Sequence, residues 1–595
     1  MKQRVAGILM MGTAVAVGLA ACAGGTDRRT TVEHDADTDM ATVATRPEPP
    51  AAPEVREEAV RAAGQLARGK QASSSYALSA QDSMARMMVP TPMPPAVPFN
   101  REGYEAISEN RFHDPRVTPL STFGLDVDTA SYTNLRRLLN AGRRPPVDAV
   151  RIEELVNYFD YSELPVDGRH PIRMRTELSH APWADGHLLA MVQVAAQAPE
   201  ALRDRPNRLV FLIDTSGSMQ AADKLPMLQR AFRQLVEQLD EDDSVAIVTY
   251  AGQAGLALPA TRGDRKSALY QAIGNLQAGG STAGAQGIDL AYRIAREQFD
   301  EDANNRVILA TDGDFNVGAS SQGELVRLIE QRRDQGIYLT VLGFGTGNYQ
   351  DGRMHRLADH GDGNYYYIDT DLEARRVLVE KLQGTLVTVA KDVKLQVEFN
   401  PRRVASYRLL GYETRALAAE DFKDDRKDAG DVGAGQRVTA LYEIVPVGAD
   451  TAEPDALRYQ SREATRTGRR GDEWMLVKAR YKQPEGGAST ELRQTVSADA
   501  PALERASDDL QWAASVAEFG LLLRQSEHAG QATLDAVLRR AEELARSSDD
   551  PARDEFVGLV RQAGLLASGP EALRMGRDYQ PVKRGAVEQA RVQVR

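Results

Sequence analysis

Apolar residues along this chain fall into three successive patterns. From Tyr132 to Asn140 they recur at helical spacing and stop at Gly142. Pro145 and Pro146 then open a second helix, in which Ile152, Leu155, Val156 and Phe159 stand at i, i+3, i+4 and i+7. Two strand-like runs follow, Ile172–Leu178 and Leu188–Val194. Between about 206 and 388 the pattern changes, and short apolar runs alternate with amphipathic stretches. Leu209–Ile213, Ser244–Tyr250, Arg306–Thr311, Tyr338–Phe344 and Asn364–Ile368 predict strands. Lys224–Leu239, Lys266–Leu276, Gly284–Phe299, Gln322–Gln335 and Leu372–Leu386 predict helices. Such alternation predicts an α/β domain with a doubly wound, mostly parallel sheet covered by helices on both faces. Ligands of such sheets bind outside the carboxyl ends of the strands, which singles out the residues just after Ile213 and Ala310.

The third pattern is strand-like again: Lys394–Phe399, Ser406–Tyr412, Gln436–Pro446 and Glu473–Tyr481. The chain closes with helices, the first carrying Trp512, Val516, Phe519 and Leu523, the later ones near Leu534–Ala545 and Glu555–Ala563. Residues 24–99, by contrast, are poor in large apolar side chains and hold proline clusters at Pro47–Pro50 and Pro90–Pro95. A segment of that composition cannot bury enough apolar surface to offset chain entropy. It reads as a tether with a reach of about 50 Å.

Composition narrows the class. Of 595 residues 42% are hydrophobic and 27% charged, as in ordinary globular proteins, which excludes a polytopic membrane protein and a wholly disordered chain. Acids outnumber bases 85 to 73, so no basic excess exists to meet nucleic acid. No phosphate-binding P-loop is present, and no bound nucleotide is expected. At the amino end Lys2 and Arg4 precede an uncharged apolar stretch, Val5–Ala21, too short for a spanning helix. It ends in Leu19-Ala20-Ala21-Cys22, which resembles the lipobox of bacterial lipoproteins, and Cys22 is the single cysteine of the chain. That resemblance implies lipidation at Cys22 and a membrane-anchored protein of the cell envelope. Ala23, where Asp would resemble an inner-membrane retention signal, favours the outer membrane, with the protein on its periplasmic or surface face.

The chemistry sits at the first strand of the alternating region. Leu209–Ile213 runs into Asp214-Thr215-Ser216-Gly217-Ser218-Met219, a D-x-S-x-S pattern whose carboxylate and two hydroxyls converge on one hard cation if Gly217 makes a tight turn. Thr282, in Gly280-Ser281-Thr282, offers a hydroxyl on a second loop, and Asp312 a carboxylate at the end of another apolar strand. An all-oxygen set favours Mg²⁺ or Mn²⁺ over zinc. D-x-S-x-S alone is more often just a serine-rich turn. All five positions, in order, on an alternating α/β pattern resemble a von Willebrand factor type A (VWA) domain with its metal-ion-dependent adhesion site over about residues 206–390. The resemblance implies that Asp214, Ser216, Ser218, Thr282 and Asp312 surround one divalent ion whose open position accepts an Asp or Glu of a protein partner.

The likeness continues outside that domain. Phe123–Tyr132 and Arg151–Phe159, with Arg408–Glu413 and Thr439–Ile444, are similar to flanking segments of a family of bacterial VWA lipoproteins. The implied plan is a leader at 1–21, a tether at 22–99, helices and strands at 100–205, the VWA domain at 206–390, a β-rich domain at 391–500, helices at 501–570 and a tail. Strands 172–194 and 393–500 are expected to form one β-sandwich into which the VWA domain is inserted.

Other candidate chemistry is weaker. Asp126-Val127-Asp128-Thr129 invites comparison with phosphatase D-x-D-x-T motifs, but Ala130 and a following helix make it a strand end and helix cap. Asp424, Asp425, Asp428 and Asp431 invite comparison with a calcium loop, but Lys423, Arg426 and Lys427 interleave with them, which favours a solvated hairpin loop over the alternative of a weak ion site. His355 and His360 lack zinc spacing and read as surface residues. The function expected is therefore a binding module and not an enzyme. The alternatives are a regulatory or assembly subunit of an ATPase or envelope complex, and a metal-assisted hydrolase.

Overall fold

Strand β1 (Leu120–Gly124) leads into helices α1 (Ala130–Asn140) and α2 (Ile152–Asn157), and the hairpin β2 (Ile172–His180) and β3 (Leu188–Ala196) follows. This is a computed structural model that describes residues 102–568, apart from 126–127, 165–169, 198–204, 281–283, 314, 316–321, 348, 382–383, 385, 450–471, 485 and 498. Cys22, the leader, the tether and the tail beyond 568 lie outside the described residues.

The alternating region folds as β4 (Asn207–Asp214), α3 (Leu225–Glu237), β5 (Ser244–Ala251), β6 (Gln253–Arg262), α4 (Lys266–Gly274), α5 (Gly284–Glu297), β7 (Asn304–Thr311), α6 (Gln322–Arg333), β8 (Tyr338–Phe344), α7 (Asp351–His360), β9 (Tyr365–Ile368) and α8 (Asp371–Arg375). Its strands lie in the order β6-β5-β4-β7-β8-β9. All neighbours are parallel except β5 and β6. Because strand side chains alternate faces, Leu209, Phe211 and Ile213 pack with Leu228 and Phe232 of α3, with the Phe211 and Phe232 rings 4.2 Å apart. Val210 and Leu212 point the other way, toward Ile288 and Tyr292 of α5 and Ile329 of α6. Two apolar faces on one strand explain why β4, β7 and β8 read as continuous hydrophobic runs.

Two details depart from the sequence reading. Strand β6 was not expected. It is an edge strand, mostly exposed, and carries Pro259, which an edge tolerates. The helix expected over Leu372–Leu386 is shorter. Thr370 caps it by accepting from the Glu373 amide at 3.1 Å, and it widens into a looser turn at Arg376–Glu380 before the next strand.

That strand, β10 (Thr388–Phe399), is followed by β11 (Val404–Leu410), the short β12 (Ala416–Leu417) and β13 (Val432–Gly433), β14 (Arg437–Pro446), β15 (Met475–Gln483) and β16 (Gly486–Val496). One sheet has the order β12-β1-β10-β15-β16, the other β11-β14-β3-β2. Their inner faces meet: Phe399 stacks on Tyr407 with ring centres 3.8 Å apart, and Phe123 lies 4.8 Å from Tyr412. Strands on both sides of the VWA domain thus share one sandwich, and the VWA domain is inserted in it. Helices α9 (Asp508–Arg524), α10 (Leu534–Arg546) and α11 (Pro551–Ser568) close the fold. Trp512, Val516 and Phe519 join Tyr132, Tyr158 and Phe159 in a separate apolar cluster.

Buried ion pairs tie the inserted domain to its flanks. Arg151 of the α2 entry bonds Glu154 and Asp351 of α7. Arg136 of α1 bonds Asp369, Glu373 and, on α11, Glu555. Asp128 is part of this frame, accepting from the Tyr365 amide at 2.8 Å, and His355 is buried beside it at 3.5 Å, not on the surface. Thr129 holds the cap position of α1 without a side-chain capping bond.

Candidate metal centre

Asp214 ends β4 and Asp312 directly follows β7, its parallel neighbour, so the crossover topology brings two carboxylates to one sheet edge. Asp214 is fully buried. Its Oδ1 accepts from the Ser216 amide at 2.8 Å, folding the loop back on the strand. Its Oδ2 accepts from the Tyr250 hydroxyl and the Thr311 hydroxyl, both at 3.3 Å. The Ser216 and Ser218 hydroxyl oxygens lie 2.9 Å apart. The Gly280 loop is zipped to this turn: the Gly217 amide donates to Gly280 O at 3.1 Å, and the Gly279 amide to Thr215 O at 2.8 Å. Gly280 takes φ +87°, a conformation glycine adopts without steric cost. Thr282 itself lies outside the described residues, two positions beyond this zipper.

Three residues of the site were missed in the sequence. Tyr250 and Thr311 orient Asp214 from strands β5 and β7. In the fold, Gly287 on α5 makes room for Tyr250: a Cβ there would lie 2.8 Å from the Tyr250 Cβ, so the glycine lets helix and tyrosine approach. The third is Lys224, just before α3, whose Nζ donates to Asp312 Oδ2 at 2.8 Å. Both side chains are buried, at 7% and 0% exposure.

Burial raises the Asp214 carboxyl to about 6, against the lowering effect of its Ser216 hydrogen bonds, and the nearby Asp312 charge raises it further. A buried carboxylate beside two converging hydroxyls suits a hard divalent cation. Asp214, Ser216, Ser218 and Asp312 would hold the ion, with Thr282 completing the set. Among the described residues no group of three or more His, Cys, Asp or Glu is arranged to hold a metal; the candidate set has two carboxylates, Asp214 and Asp312, beside the Ser216 and Ser218 hydroxyls. Among the same residues, no helix is long and apolar enough to cross a membrane.

Comparison with known proteins agrees with this architecture. Residues 209–384 match the von Willebrand factor type A domain, 98–191 match a family described as von Willebrand factor, and 384–566 match the family described as uncharacterized protein YfbK, C-terminal. The uncharacterized protein YfbK of Escherichia coli is 40% identical over 467 residues, which cover 77% of this chain and 80% of that protein. The uncharacterized protein sll0103 of Synechocystis is 26% identical over 211 residues, 36% of this chain and 49% of that one. Among solved structures, a von Willebrand factor type A protein from Catenulispora acidiphila overlays 67% of this chain and 91% of its own, with 19% identity and a TM-score of 0.38. With its inserted α/β domain, its two-sheet sandwich and a 40% identical relative matched over most of both chains, this protein belongs to the YfbK-like family of bacterial von Willebrand factor type A proteins.

Proposed function

We propose that this protein is a metal-dependent protein-binding module: a lipid-anchored envelope protein whose VWA domain holds one Mg²⁺ or Mn²⁺ and uses it to capture an Asp or Glu of a protein partner. The observation that carries the reading is the Ser216–Ser218 hydroxyl pair, 2.9 Å apart and next to the buried Asp214, at the carboxyl edge of the parallel sheet. The ion would supply a concentrated positive charge for an incoming carboxylate. The chain's residues would do the rest. Ser216 and Ser218 offer neutral oxygens that add no negative charge of their own to the ion, Asp214 anchors the loop, and Tyr250 and Thr311 keep Asp214 in place. Lipidation at Cys22 and the tether would put this module above the outer membrane, on its periplasmic or surface face.

The test is retention of envelope proteins on the immobilised full chain with Mg²⁺, with EDTA, and on a Ser218→Ala variant with Mg²⁺. A partner held only by the wild-type chain with Mg²⁺ is expected, and mutation of one acidic residue on that partner should release it. Equal retention in all three arms would refute metal-dependent capture.

A further inference from the structure

We infer that Lys224 sets the charge of this site, lowering its affinity for the divalent ion so that the bound ion keeps positive charge for the partner's carboxylate. The inference rests on the metal-dependent reading above and concerns a residue outside the five-position motif.

Lys224 is built into place from three sides. Its carbonyl accepts from the Leu228 amide at 2.9 Å, starting α3, so its backbone is fixed by the helix. Its stem lies across Gly345, at the end of β8. A Cβ on Gly345, which has φ +71°, would lie 2.2 Å from Lys224 Cγ and 2.5 Å from Cε. Its ammonium donates to Asp312 Oδ2 at 2.8 Å, with the pair buried. Taking two charges out of water is costly, and a buried ion pair is weak evidence of a stability role, because apolar residues of similar volume often serve as well. The placement has a clearer consequence for charge. Asp214 and Asp312 together carry two negative charges; with Lys224 the site carries one. A divalent ion bound there is left with a net positive charge that an incoming carboxylate neutralises. Without the ammonium, the two aspartates would balance the ion themselves, holding it more tightly and an outside carboxylate less.

A unit charge within hydrogen-bond reach of a ligand side chain, acting on a divalent ion through even a water-like dielectric, is worth about tenfold in affinity. The experiment is a Mn²⁺ titration of the full chain followed by the electron paramagnetic resonance of free Mn²⁺. It compares wild type, Lys224→Met, Lys224→Gln and Lys224→Met with Ser216→Ala, with near-ultraviolet circular dichroism as the check of fold. The neutral variants that fold should bind one Mn²⁺ about tenfold more tightly or better, and Ser216→Ala should abolish the gain. Affinity equal to or weaker than wild type in a folded neutral variant would overturn the role of Lys224 while leaving the metal site standing. Binding by the neutral variants alone would uphold it and instead overturn metal loading of the wild-type chain. Binding by none would overturn the metal reading, and the role of Lys224 with it.

Discussion

Arg136 is the point where the inserted domain, the α1 helix and the carboxyl-terminal helices are joined, and replacing it by Met tests that joint quantitatively. The residue is 3% exposed. Its Nε donates to Asp369 Oδ2 at 2.8 Å, and Nη2 donates both to Asp369 Oδ1 and to Glu373 Oε2, the latter at 2.9 Å. Its Nη1 donates to the Tyr158 hydroxyl and to Glu555 Oε2, each at 2.9 Å. The Asp369 and Glu373 side chains are 4% and 2% exposed, whereas Glu555 is 36% exposed. Removing one partner of a buried pair leaves uncompensated charge and costs about 3–5 kcal/mol, while the half-exposed Glu555 contributes about 1 kcal/mol or less. Arg136→Met should therefore destabilise the chain by about 3–5 kcal/mol. Urea unfolding followed by the fluorescence of Trp512, whose ring centre is 5.1 Å from Phe159 and 5.3 Å from Phe556, reports on this region.

The cost should also depend on pH. Burial already raises the Asp369 carboxyl although Arg136 lowers it, so without the guanidinium it rises further. A carboxyl whose folded-state value lies above its unfolded one penalises folding at high pH, and the penalty fades as the group protonates. The loss should therefore be smaller at pH 5 than at pH 8, and adding Asp369→Asn and Glu373→Gln should recover at least half of it. A change below about 1 kcal/mol at pH 8, or a full loss that neither pH nor the neutral replacements relieve, would refute the reasoning.

Further outcomes follow from other contacts. Gly345→Ala forces a side chain into a left-handed conformation and onto the Lys224 stem, so a loss of at least about 2 kcal/mol in chemical denaturation is expected. Glu153, with Oε2 buried and unpartnered, is pushed up to about 8 by burial and by the nearby Glu413 and Glu154 charges. Its folded-state value exceeds the unfolded one, so it is neutral and harmless at low pH and costs stability as pH rises toward 8. The advantage of Glu153→Gln over wild type should grow by at least about 1 kcal/mol between pH 5 and pH 8 in urea titrations. Gly287→Ala should push Tyr250 away from Asp214, and losing that hydrogen bond should weaken Mn²⁺ binding about fivefold in a calorimetric titration.

The α/β core was legible because its strands are buried on both faces. Runs such as Leu209–Ile213 then stand out, and a motif at their ends falls where the topology puts sites. What sequence reading missed obeys other rules. β6 is exposed, so burial left no pattern on it. β16 buries only Val496 among half-buried and exposed residues, and β1, read in the sequence only as the strand end before the α1 cap, is short and pairs mainly with residues 394–398, far along the chain. His355 looked like a surface residue, yet contact with Asp128, more than 200 positions away, buries it. At the site, the five-position motif brought attention to Asp214, Ser216, Ser218 and Asp312. Tyr250, Thr311 and Lys224 act on those residues from other strands and from a helix start, and only their juxtaposition in the fold reveals it.

Anomalous diffraction at the manganese edge, from crystals of the chain grown with MnCl₂, tests the central claim most directly. One peak is expected within ligand distance of the Ser216 and Ser218 hydroxyls, with Thr282 brought to the same ion and Lys224 still on Asp312. No peak there in a Mn²⁺-saturated crystal, or a single peak elsewhere, such as among Asp362, Asp428 and Asp431, would contradict it.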